Sequence, residues 1–177
     1  MNTANKLTMI RIFLIPAFLV VLYIGFFGSQ YVAMAIFVAA GLTDIADGYI
    51  ARKRNQVTDF GKLMDPLADK ILVLAAMLWF LEKGIMPAWT VLIVVIREFM
   101  VTALRMIAVD NGRVIAAGVS GKIKTVVTMV CLTVMFLDLP PWLMHTCVAL
   151  ITVTTLVSGI EYFVRNKDII NLTSSDT

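Results

Sequence analysis

Four aspartates stand where the chain is otherwise apolar: Asp44 and Asp47 in one hydrophobic run, Asp65 and Asp69 in the next. On a helix, residues three or four apart share a face, so each pair projects together. A charge held in hydrocarbon costs at least ~2.5 kcal/mol, so these carboxylates need partners or a wet cavity. Four of them converging without a counter-charge would repel, and some would take up protons. One or two hard divalent cations of the Mg²⁺, Mn²⁺ or Ca²⁺ type, which prefer oxygen ligands, would neutralise them. Gly48 and Ala51 lie one turn beyond Asp44 and Asp47, and Gly61 one turn before Asp65. Small residues let a ligand approach the backbone. They also permit close helix packing, which is the competing account.

A second cluster is basic. Arg97 and Arg105 are eight residues apart, about two helical turns, and so lie on roughly one face, while Lys122 and Lys124 open the following apolar run. Guanidinium and ammonium groups near a bound metal point to an anionic substrate, because Arg grips phosphate oxygens in a fork and Lys acts as a point charge. Snorkelling anchors at a membrane surface are the alternative, and that account is adopted for Lys53, Arg54, Arg113, Arg165 and Lys167. For Arg97 the alternative is a structural pair with neighbouring Glu98 or with an Asp. His145 reads as a packed or interfacial residue, and Cys131 and Cys147, without CxxC spacing, as small apolar packers.

The elements carrying these residues follow from composition. Of 177 residues, 60% are hydrophobic and 15% charged, and mean hydropathy is +0.90. Such a composition excludes a soluble enzyme and a disordered chain. At about 20 residues per crossing the length accommodates roughly six spans in a single integral membrane domain over residues 1–177. Apolar runs place them at Leu7–Phe27, Tyr31–Arg52, Phe60–Leu81, Pro87–Val109, Gly121–Leu137 and Trp142–Val164, with Gly and Pro at nearly every break. The first run contains Arg11 and has no evident cleavage site, so it reads as a retained span. Lys and Arg gather at the N-terminus, the second and fourth connections and the tail, whereas the odd-numbered connections hold only Lys83. Both termini and the functional clusters are therefore expected on the cytoplasmic side. Trp79, Trp89 and Trp142, toward the opposite ends, read as interface anchors. The net charge of +3 is mild and no basic tract is interleaved with aromatics, which argues against nucleic acid as a partner.

Asp44, Asp47, Gly48, Ala51 and Arg52, followed after eight residues by Gly61, Asp65 and Asp69, match every position of the signature of the CDP-alcohol phosphotransferases. The chain resembles that family over about residues 5–165. Four stretches resemble its bacterial branch that joins CDP-diacylglycerol to sn-glycerol 3-phosphate: Asn5 to Arg11, Met64 to Lys70, Ile96 to Phe99 continuing over Thr102 to Arg105, and Gly121 to Thr125. One departure is Ala4, where a Pro often precedes the Asn; it affects only the entry into the first helix.

The resemblance implies an all-α membrane protein with six transmembrane helices and the CDP-alcohol phosphotransferase fold, usually a homodimer, in the bacterial inner membrane. It implies two metal ions, Mg²⁺ or Mn²⁺, on Asp44, Asp47, Asp65 and Asp69, with Asp69 also the base that deprotonates the acceptor hydroxyl. Gly48, Ala51, Arg52, Gly61 and Asp44 would receive CDP-diacylglycerol. Arg97, Arg105, Lys122 and Lys124, with Asn5, Thr8 and Arg11 closing the pocket, would bind the acceptor's phosphate. The product would be phosphatidylglycerophosphate, with release of CMP. Alternatives are a same-family enzyme for inositol phosphate, serine or phosphatidylglycerol, and, in another class, a cation or proton transporter, which also wants intramembrane acids.

Overall fold

The computed structural model describes the backbone of residues 3–54, 59–110, 112, 115 and 118–168, and side chains over 9–43, 67–68, 70–109, 112, 115 and 118–168. Among the described residues six α-helices follow in order: α1 Thr3–Ile24, α2 Ser29–Arg54, α3 Asp59–Glu82, α4 Ala88–Asp110, α5 Val119–Met135 and α6 Pro141–Arg165. No strand occurs among the described residues.

Each helix coincides with an expected span, and the differences lie at the ends. The expectation carried the first helix to Phe27, but α1 stops at Ile24 because Gly25 (φ 67°) and Gly28 (φ 82°) take left-handed backbone that would strain other residues. α5 ends at Met135 instead of Leu137. Phe136 and Leu137 donate to the carbonyls of Thr133 (3.2 Å) and Val134 (3.0 Å), a tightened final turn, before Asp138 turns left-handed at φ 49°. Pro140 is extended (φ −58°, ψ 147°), and Pro141 occupies the first turn of α6, where its missing N–H costs nothing.

The chain divides into two compact units, Met1–Trp79 with Leu132–Leu139, and Phe80–Cys131 with Pro140–Thr177. In the first, α1 packs on α2. Phe18, Phe37 and Phe136 form an aromatic triangle with centroid separations of 5.9–6.1 Å, and Phe18 meets Phe136 edge-on. Tyr23 meets Trp79 edge-on at 5.3 Å, and Gln30 Nε2 donates to Asp138 Oδ2. In the second unit α4 packs on α6. The Thr90 and Thr152 hydroxyls meet at 3.3 Å, and Val101, Leu104 and Tyr162 form a buried cluster with Ile115 and Phe163 against it. Cys131 and Cys147 are buried free thiols, in keeping with apolar packers, and His145 is exposed on α6.

Among the described residues, one helix, Pro141–Arg165, is long and apolar enough to cross a membrane, and Met9–Ile24 and Ser29–Thr43 form shorter apolar stretches. Two of the others fall short for identifiable reasons: α4 carries Arg97, Glu98 and Arg105 within its apolar stretch, and α5 has 17 residues. Large apolar side chains nevertheless face outward on several helices, among them Phe13, Phe99, Val126, Trp142 and Ile160.

Candidate active site

Both aspartate pairs fall inside unbroken helix: Asp44 and Asp47 late in α2, Asp65 and Asp69 early in α3. The backbone thus has the 3.6-residue period that the pairing of each set requires. Pro66 is the eighth residue of α3, beyond the first turn, so its missing N–H removes one hydrogen bond from the helix ladder there. Gly48, Ala51 and Arg52 continue α2, and Gly61 belongs to the first turn of α3. The side chains of these residues, and of Asn5 and Thr8 in α1, lie outside the described set. Among the described residues no group of three acid, His or Cys side chains is placed to hold a metal. The donor set nevertheless suits the ion: four carboxylates, with no thiol or imidazole among them, match the oxygen preference of Mg²⁺ and Mn²⁺.

The basic candidates separate into distinct environments. Arg97 on α4 and Lys124 on α5 converge on one carboxylate oxygen, Glu98 Oε1, at 2.9 Å and 2.6 Å. The two cations are more buried than the acid they share: the side chains of Arg97 and Lys124 are 12% and 7% exposed, that of Glu98 22%. In so desolvated a place charge-assisted hydrogen bonds are strong and an unpaired charge is costly. Arg97 runs between two glycines. A Cβ added at Gly121 would lie 3.4 Å from its Nη2, and one at Gly159 on α6 would lie 3.2 Å from its Cγ. Its buried Nε has no hydrogen-bond partner among the described residues.

Arg105 differs. It is exposed, its Nε donates to the Tyr162 hydroxyl at 3.2 Å, and its guanidinium carbon stands 5.7 Å from the centre of the Tyr162 ring. Lys122 is also exposed and has no ion pair among the described residues. Arg11 of α1 is fully buried, in the other unit. Glu98, Tyr162 and Gly159 were absent from the expected site. Glu98 gave a signal, as a charge inside an apolar span beside Arg97; Gly159 gave none, since its meaning comes only from the Arg97 side chain that passes it.

A family model described as CDP-alcohol phosphatidyltransferase matches residues 1–158. The chain is 39% identical to the CDP-diacylglycerol–glycerol-3-phosphate 3-phosphatidyltransferase of Bacillus subtilis, with 93% of this chain and 95% of that protein covered. It is 37% identical to the protein of the same name from Salmonella typhimurium, covering 91% and 92%. It is 35% identical to a probable phosphatidylglycerophosphate synthase of Mycobacterium tuberculosis, covering 93% and 81%. With the signature acids on α2 and α3 and likeness along nearly the whole length, the chain belongs to the CDP-alcohol phosphatidyltransferase family.

Proposed function

We propose that the protein transfers the phosphatidyl group of CDP-diacylglycerol to sn-glycerol 3-phosphate, giving phosphatidylglycerophosphate and CMP. The observation that carries this reading is near-full-length likeness to relatives bearing that enzyme's name in Bacillus and Salmonella. The buried Arg97–Glu98–Lys124 cluster supports it, since it keeps net positive charge and an unfilled donor for a phosphorylated acceptor.

Asp44, Asp47, Asp65 and Asp69 would hold two divalent ions, Mg²⁺ or Mn²⁺, which when bound supply charge neutralisation at the diphosphate and at departing CMP. Gly48, Ala51 and Gly61 leave room for the nucleotide, and Arg52 adds charge toward its phosphates. The Asp69 carboxylate accepts the proton of the acceptor's primary hydroxyl. That oxygen attacks the phosphorus bearing the diacylglycerol, the phosphorus–oxygen bond to CMP breaks, and the electron pair leaves on the CMP phosphate. Arg97 and Lys124 fix the acceptor's own phosphate, while Arg105 and Lys122, both exposed, add positive charge that draws it in; Asn5, Thr8 and Arg11 of α1 are further candidate phosphate ligands.

Six helices cross the inner membrane with both termini in the cytoplasm, as one integral domain that forms a homodimer. A lipid donor and a polar acceptor require chemistry at the cytoplasmic boundary, where the acyl chains stay in the bilayer and the acceptor arrives from water. The outward-facing apolar side chains of several helices support this placement.

The test is purified protein in detergent with CDP-diacylglycerol, Mg²⁺ or Mn²⁺, and radiolabelled acceptors in parallel. Release of CMP with glycerol 3-phosphate, and not with serine, inositol phosphate or phosphatidylglycerol, is the expected result. Preference for another acceptor would overturn the assignment within the family, and ion flux in liposomes without CMP release would favour a transporter.

A further inference from the structure

Two buried cations drawn from different helices would ordinarily repel each other and move independently. Here Arg97 Nη1 and Lys124 Nζ meet the same oxygen of Glu98. Glu98 leaves the trio with one net positive charge, enough to attract an anion, while the cations are held at a separation set by a single shared atom. A second restraint acts on Arg97. Its side chain threads past Gly159 on α6 and Gly121 on α5, and at Gly159 any Cβ would come closer to the Arg97 Cγ than ordinary contact allows. Gly159, lacking a side chain, leaves the room that the arginine's shank occupies, and Glu98 holds its head. What remains open is Nε, a buried charged donor with no partner among the described residues, a condition that is costly unless an acceptor arrives.

We infer that Glu98 is a positioning residue for the acceptor: it pre-orients Arg97 and Lys124 as a two-pronged clamp for a phosphomonoester, with Gly159 as the sleeve that keeps Arg97 on course. The inference rests on the proposed acceptor chemistry and assigns Glu98 and Gly159 no contact with substrate. Their effect falls on capture of the phosphorylated acceptor and leaves the lipid donor untouched.

The experiment measures KM separately for glycerol 3-phosphate and for CDP-diacylglycerol in detergent-purified wild type, Glu98→Gln, Glu98→Asp and Gly159→Ala. Glu98→Gln keeps the size and an acceptor oxygen but removes the charge that restrains the two cations. The KM for glycerol 3-phosphate is expected to rise about tenfold or more, the scale of one charge-assisted hydrogen bond, with the KM for CDP-diacylglycerol unchanged and partial recovery in Glu98→Asp. Gly159→Ala, which alters no charge, is expected to shift the same constant in the same direction, so the inference stays testable if Glu98→Gln fails to fold. A fall in that KM would mean that Glu98 merely competes with the phosphate for the cations, and would overturn the inference. So would unchanged KM values in folded variants, or equal rises for both substrates. If the wild type does not use glycerol 3-phosphate at all, the proposed function fails first, a result recognisable before any variant is compared.

Discussion

Lys122 and Lys124 are two residues apart on α5, and on a helix that spacing turns them to different sides. The sequence offered both as phosphate ligands, whereas the structure buries Lys124 against Glu98 and leaves Lys122 exposed. Lys124→Ala is therefore expected to raise the KM for glycerol 3-phosphate about tenfold or more, since it removes a buried charge pair. Lys122→Ala should change it by less than about fivefold, the range of an exposed charge. Steady-state kinetics of the two variants checks the contrast, and equal effects would contradict it. The aspartates carry a second prediction. Asp69→Asn is expected to abolish turnover while sparing much of the metal binding, and Asp44→Asn to weaken metal and nucleotide binding together. Calorimetric titration with Mn²⁺ beside a CMP-release assay distinguishes them, and retained turnover in Asp69→Asn would refute its assignment as the base. The acids were legible from sequence because charges inside apolar runs are rare and expensive. The Arg97–Glu98 pair was legible too, as the alternative account of Arg97, but the part of Lys124 was not, because nothing in the order of residues states that α5 brings it to the same Glu98 oxygen.

At the scale of elements, hydropathy located all six helices, since burying or lipid-facing runs of this length leave the chain few other forms. Helix ends were less legible. α1 ends early and α5 turns early because of the backbone at Gly25, Gly28 and Asp138, and φ values are not written in hydropathy. At Gly28 nothing lies closer than 4.0 Å to an added Cβ, so the cost of a side chain there is one of backbone conformation alone. Gly28→Ala is therefore expected to destabilise the fold by about 1–2 kcal/mol, the cost of a left-handed residue with a Cβ. Thermal unfolding in detergent should show a fall of roughly 2–8 °C. An unchanged midpoint would mean that the connection between α1 and α2 relaxes freely. The outward apolar faces were anticipated by composition, but the pairing of α1 with α2 and of α4 with α6 was not, because hydropathy does not encode which helix meets which.

At the scale of the molecule, the proposed function gives the charged residues two jobs. The acids sit on α2 and α3 in the first compact unit, and the Arg97–Glu98–Lys124 cluster lies on α4 and α5 in the second. The proposed reaction needs both, one set for the diphosphate of the donor and the other for the phosphate of the acceptor. The most direct measurement is release of CMP from CDP-diacylglycerol by the purified protein, with and without glycerol 3-phosphate, after removal of divalent ions by a chelator and after their return. The account predicts CMP and phosphatidylglycerophosphate in equal amounts, formed only when acceptor and Mg²⁺ or Mn²⁺ are both present. CMP release that ignores the acceptor, or that persists undiminished under chelation, would contradict it.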